Sequence, residues 1–207
     1  MLKKNHFSKF KMAKKKPVVN KTYNKLLKNS YQDSKKQREV ANELGYKRDD
    51  KLSSVQTQVL QKEGEKPLII HRGSKNVQDF IDDGLIGLGL GKYTHRVKQT
   101  KRLTKKVIEK TGERPTQIGH SLGGYLAEQN AKDGDEVYTY NKHAVGFTGT
   151  KKNSNQTDVR DFGDLASLPQ AFSSKTNVLT MKARYGKGYG KNNVINPLYA
   201  HEIKDYE

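Results

Sequence analysis

A serine stands between two glycines in Gly119-His120-Ser121-Leu122-Gly123. A serine hydroxyl attacks a carbonyl only once a base has taken its proton. The Gly-x-Ser-x-Gly spacing sets such a serine on a sharp turn from strand to helix, where small flanking residues let the two elements approach and the side chain projects over a sheet. Leu122 then offers its backbone N–H at the start of the helix, toward the oxygen that becomes negative as the carbonyl is attacked. The chemistry of such a site is acyl transfer through an acyl-serine. The five-residue pattern arises by chance about once in ten chains of this kind, so its context matters. The segment Gln117-Ile118 before it suits a strand, and Gly124-Tyr125-Leu126-Ala127-Glu128-Gln129 after it suits a helix.

The elements that must position Ser121 follow from periodicity. Pro67-Leu68-Ile69-Ile70-His71 is a short apolar run that reads as a buried strand, followed at once by Arg72-Gly73-Ser74. Weak alternation predicts a strand over Ser53–Leu60, and helix formers fill Tyr31–Tyr46. Apolar spacing predicts a helix opening within Asn76–Asp83 and an amphipathic helix over His95–Lys110, ended by Thr111-Gly112. Further strands are expected over Arg114–His120, Val137–Tyr140, Val159–Phe162 and Thr176–Met181, with a helix over Leu122–Asn130. Strand and helix alternate around Ser121, which predicts an α/β fold with a mainly parallel central sheet and helices on both faces.

The chain has 207 residues, of which 32% are apolar and 30% charged, so the core must be small for the length. Its formal net charge of +18 favours anionic partners: nucleic acid, anionic lipid or acidic protein. Residues 1–28 hold ten lysines and no acid, with Val18, Val19, Leu26 and Leu27 sparse among them. They read as a solvated, basic N-terminal arm (1–30) with room for a short helix near Tyr23–Lys28, ahead of the domain (31–207). The absence of cysteine removes disulfides and thiolate chemistry. No apolar run approaches the ~20 residues that span a bilayer, and no apolar stretch follows the basic start as in a secretory signal. A soluble or peripheral membrane protein is expected.

Several segments together resemble the class 3 lipases, the fungal-lipase-like α/β-hydrolases. Gly119-His120-Ser121-Leu122-Gly123-Gly124 is similar to their nucleophile motif, and Ile69-Ile70-His71-Arg72-Gly73-Ser74 to their strand ending in Arg-Gly-Thr/Ser. Asp79-Phe80-Ile81-Asp82, Gly163-Asp164-Leu165-Ala166-Ser167-Leu168-Pro169 and the terminal His201-Glu202-Ile203-Lys204-Asp205-Tyr206 match further segments in order. The resemblance covers roughly residues 50–207. It implies a serine hydrolase of lipid esters that needs no metal or cofactor. Ser121 would be the nucleophile, His201 the general base and Asp164 the acid that orients it, with Ser74 and Leu122 as oxyanion donors. Asp158 and Asp161 compete with Asp164, but lie in or before the expected strand rather than just past its end, where such sheets present functional side chains. His120 reads as a packed neighbour of the nucleophile, and His71, His95 and His143 have no implied role.

The chain also departs from that family. Only 46 residues separate Ser74 from Ser121, and Asn141-Lys142-His143-Ala144-Val145-Gly146 stands where a Gly-x-Pro is usual. Residues 84–91 alternate glycine with Leu85, Ile86, Leu88 and Leu90, and are either a lipid-contacting lid or a buried packing loop. The basic arm suits anionic headgroups, and a nucleic-acid contact through residues 1–28 is its rival. Two other readings stand beside the lipase: an esterase or thioesterase for soluble esters, and an inactive hydrolase fold that binds membrane or nucleic acid. A small basic lipase of this kind would suit a virus or mobile element that must breach a membrane.

Overall fold

The computed structural model describes residues 18–74, 90–143, 151–172, 175–181 and 201–203. Two helices come first, α1 (Lys21–Asn29) and α2 (Ser34–Glu43). Each has a polar side chain at its start accepting otherwise unpaired backbone N–H groups. Asn20 accepts from Tyr23, and Asp33 accepts from Lys35 and Lys36. Strands β1 (Lys47–Arg48), β2 (Thr57–Gln61) and β3 (Leu68–His71) follow. Helix α3 (Leu90–Thr111) leads to β4 (Thr116–His120), and α4 (Leu122–Asn130) to β5 (Val137–Tyr140). The chain then forms β6 (Gln156–Asp161), a 3-10 turn at Leu168–Phe172 and β7 (Asn177–Met181).

The seven strands lie in one sheet in chain order. The pairs β1–β2 and β2–β3 are antiparallel, and every pair from β3 to β7 is parallel. Strand alternation sends successive residues to opposite faces. Leu68 and Ile70 face a core built with Leu26, Leu27, Ala41, Ile118, Tyr138, Tyr140 and Val159, while Ile69 joins Val59 and Val107 of α3 on the other side. The expected α/β architecture with a mostly parallel sheet is present.

Two details differ from expectation. Leu26 and Leu27, which composition assigned to a solvated arm, are fully buried. Two leucines at that depth stabilise the fold by about 1.5–3 kcal/mol each, enough to draw a lysine-rich segment onto the sheet. Helix α3 begins at Leu90 rather than His95, so Leu90 and Gly91 are helical rather than the end of a Gly-rich loop. The expected helix within Asn76–Asp83, and Leu85, Ile86 and Leu88, lie outside the described residues.

Candidate active site

The register of the parallel strands decides which loops meet. His71 of β3 sits beside Gly119 of β4, and β5 and β6 continue in step. Residues just past the strand ends therefore share one edge of the sheet: Ser74 after β3, Ser121 after β4, His143 after β5 and Asp164 after β6. In parallel α/β sheets this carboxyl edge is where functional side chains collect.

Ser121 joins β4 to α4 with φ 56° and ψ −128°. A positive φ is uncommon for a residue with a Cβ and is sustained only by the packing around it. That packing depends on glycines. A Cβ on Gly119 would fall on the Gly123 carbonyl, and one on Gly123 would fall on the His71 carbonyl. The Ser121 carbonyl accepts from Gly124 N–H at 2.9 Å and from His143 N–H at 3.1 Å, tying the turn to both α4 and the end of β5. The Leu122 peptide opens α4. The Arg72-Gly73-Ser74 turn packs directly on this bend: a Cβ on Gly73 would come within 3.0 Å of Ser121 Cβ. Ser74 itself is half-buried.

Asp164 and His201 are both fully buried and hydrogen-bonded, with Nδ1 to Oδ1 at 2.8 Å. Backbone N–H groups of Ala166 and Ser167 also donate to the Asp164 carboxylate, at 3.2 and 3.1 Å. The acid is therefore held from two directions before the imidazole meets it. Nε2 of His201 is buried and hydrogen-bonds to none of the described residues, Ser121 included. The competing acids are committed elsewhere. Asp158 accepts from Thr139 and Thr176, each at 2.5 Å, and Asp161 accepts from Tyr140 at 3.0 Å.

Two residues near this edge were not singled out by sequence reasoning. His143 has its pKa lowered to about 4, by burial first and then by His201, so it lies in the field of the Asp164–His201 pair. Tyr31, in the connection between α1 and α2, reaches Nδ1 of His120 at 2.6 Å. His120 is buried, and its pKa falls to about 3 through burial and then the neighbouring His201. It is neutral and packed, as its place beside the bend suggested. His71 lies under α3, bonded to Gln117 at 2.8 Å. The His95 side chain is outside the described residues. Among the described residues no group of three or more histidine, aspartate and glutamate side chains is arranged to hold a metal ion.

The model of one family, described as a Tle-like phospholipase domain, matches residues 15–182 of the chain. That span includes Ser74, Ser121 and Asp164, while His201 lies beyond it. A search of curated proteins found no match.

Proposed function

The chain belongs to the family of Tle-like phospholipase domains, and on that premise we propose that it hydrolyses carboxylic ester bonds of phospholipids with Ser121 as nucleophile. Membership of a phospholipase-like family agrees with the lipid-ester chemistry that the class 3 lipase resemblance implied. It points to a phospholipid rather than a triacylglycerol as substrate, and the class 3 assignment itself stays a resemblance.

In this reading Ser121 Oγ attacks the ester carbonyl as His201 Nε2 takes its proton. The backbone N–H groups of Leu122 and Ser74 receive the oxyanion. Collapse of the tetrahedral intermediate breaks the ester C–O bond, and His201 returns the proton to the leaving alcohol. Water repeats the sequence on the acyl-serine and releases a fatty acid. Asp164 keeps the Nδ1–H tautomer of His201 and stabilises its charged form. The observation that carries the proposal is the buried Asp164–His201 hydrogen bond of 2.8 Å, at the same sheet edge as a serine held at φ 56°.

Charge supports a membrane-bound substrate. Lys98, Lys101, Arg102, Lys105 and Lys106 are exposed along α3, and residues 1–17 carry seven lysines. Each lysine near an anionic surface contributes about 1 kcal/mol, so the enzyme would dock on anionic lipid before it cleaves. Among the described residues no helix is long and apolar enough to cross a membrane.

The test is fatty-acid release from mixed phosphatidylglycerol and phosphatidylcholine vesicles, with triolein emulsion and a soluble nitrophenyl ester alongside. Wild type should cleave the vesicle lipids, and Ser121→Ala should lower that rate by roughly 10⁴-fold or more. Equal rates in wild type and Ser121→Ala would remove Ser121 from the mechanism. Cleavage of triolein alone would return the substrate to triacylglycerol, and of the soluble ester alone to a small-ester esterase.

A further inference from the structure

One hydrogen-bond chain crosses the candidate site from the Arg72-Gly73-Ser74 turn to His201, and the direction of each of its bonds can be derived. His120 Nε2 lies 2.8 Å from the carbonyl oxygen of His201. A carbonyl only accepts, so Nε2 carries the proton. The ring is neutral, because burial opposes its charging, so its Nδ1 is an acceptor. The partner of Nδ1 is the Tyr31 hydroxyl at 2.6 Å, which must therefore donate. The Tyr31 oxygen in turn accepts from the Gly73 N–H at 3.1 Å. Each group donates to the next in one direction, from Gly73 through Tyr31 and His120 to His201, and bonds aligned in this way reinforce one another.

We infer that Tyr31 and His120 are positioning residues that fix the separation between the oxyanion turn and the general base across Ser121. The inference rests on the serine-hydrolase reading above. His201 is gripped at two points, its ring by Asp164 and its backbone carbonyl by His120. The turn after β3 is gripped at Gly73. Because Tyr31 occupies the Gly73 N–H, the oxyanion donors left on the two sides of the nucleophile are the Ser74 and Leu122 peptides. The same contact explains why position 73 is glycine. A Cβ there would come within 2.8 Å of the Tyr31 hydroxyl and 3.0 Å of the Ser121 Cβ, displacing one or the other. The rings are also packed, with Tyr31 edge-on to His120 at 5.6 Å and His120 beside His201 at 5.0 Å. Tyr31→Phe would therefore remove the bonds while keeping the shape.

The experiment follows covalent labelling of the full chain by a fluorophosphonate probe, separating the maximal labelling rate from the probe concentration giving half that rate. A misplaced reacting group costs up to about 100-fold in rate. Tyr31→Phe should lower the maximal rate by about 10-fold, with the half-saturating concentration close to wild type and the thermal midpoint lowered by only about 2–4 °C. A hydroxyl that served stability alone would move the midpoint and leave the rate unchanged. His120→Leu should slow labelling at least as much, and adding Tyr31→Phe to it should slow labelling no further, because both break one chain. A maximal rate in Tyr31→Phe equal to wild type overturns the inference, as does a double variant whose losses multiply. If His120→Leu does not fold, the Tyr31→Phe rate decides alone. Wild type that does not label, or Ser121→Ala that labels as fast, overturns the serine-hydrolase reading and this inference with it.

Discussion

The two faces of the sheet are held by different physics. Under α1 and α2 the contacts are apolar: Leu26, Leu27 and Ala41 against Leu60, Leu68, Ile70, Ile118 and Val159. Under α4 they are charged. Lys142, just past β5, is fully buried with its ammonium 2.5 Å from Glu128 of α4 and 3.2 Å from Asp158 of β6, both carboxylates also buried. Gln156 donates to both acids at 2.9 Å, Thr139 and Thr176 bond Asp158, and Gln170 bonds the Lys142 carbonyl. Burial alone would lower the pKa of Lys142, but Asp158 and Glu128 raise it, so the ammonium stays charged. An apolar face loses contacts a few at a time. A buried charge cluster fails as a unit, because removing one member leaves the others without a counter-ion.

The largest effect should therefore come from the charged face. Lys142→Met preserves bulk but leaves two buried carboxylates facing each other, and a lost partner of this kind costs about 3–5 kcal/mol. Urea unfolding should show that loss, and the companion Lys142→Met/Glu128→Gln/Asp158→Asn should recover part of it. A near-neutral Lys142→Met would mean that the cluster is wet and the contrast between the faces is false. Next comes Leu27→Ala on the apolar face, expected to cost about 3 kcal/mol as a cavity in the core. A cost under about 0.5 kcal/mol, the scale of an exposed substitution, would return Leu27 to a solvated arm.

The contrast also explains what was legible in the sequence. Continuous apolar runs, such as Leu68–His71, and the turn at Ser121 are local patterns, and both lie where they were expected. Asp164 and His201 were pointed to by resemblance, and they are hydrogen-bonded across 37 residues of sequence. Composition misled at Leu26 and Leu27, since lysines outnumber the two residues that decide burial. Lys142 gave no signal, because its counter-ions arrive from α4 and β6, 14 and 16 residues away. Tyr31 was less legible still, meeting His120 across 89 residues.

Acid should probe both faces through their neutral histidines. His71, on the α3 side of the sheet, has its pKa lowered to about 4 by burial, against 6.5 for the free group. Between those values the unfolded chain binds a proton that the folded one refuses. Stability is thus fully present above pH 6.5, falls as the pH drops toward 4, and levels below that. The His71 contribution amounts to about 2 kcal/mol lost by pH 5. His71→Gln should flatten this part of the stability-versus-pH curve, measured by urea unfolding at several pH values. An unchanged slope would mean that His71 charges in the folded protein, and that water reaches the His71–Gln117 pair.

The smallest effect should fall where the apolar face carries its own polar contacts. Tyr138 packs edge-on to Tyr23 at 5.4 Å, and its hydroxyl donates to Asn24 at 2.8 Å while accepting from the Asn20 N–H at 3.3 Å. These bonds tie the first turn of α1 to β5. Tyr138→Phe keeps the ring and removes the hydroxyl, leaving two partners at the margin of the core. Water can reach the Asn20 end, which is only partly buried, so the expected cost is about 1 kcal/mol. Unfolding should register that loss with little change in the steepness of the transition, and hydrogen exchange should quicken in α1 before the rest of the domain. If α1 instead exchanged no faster than β4, its leucines alone would hold it to the sheet, and the apolar face would need no polar anchor at all.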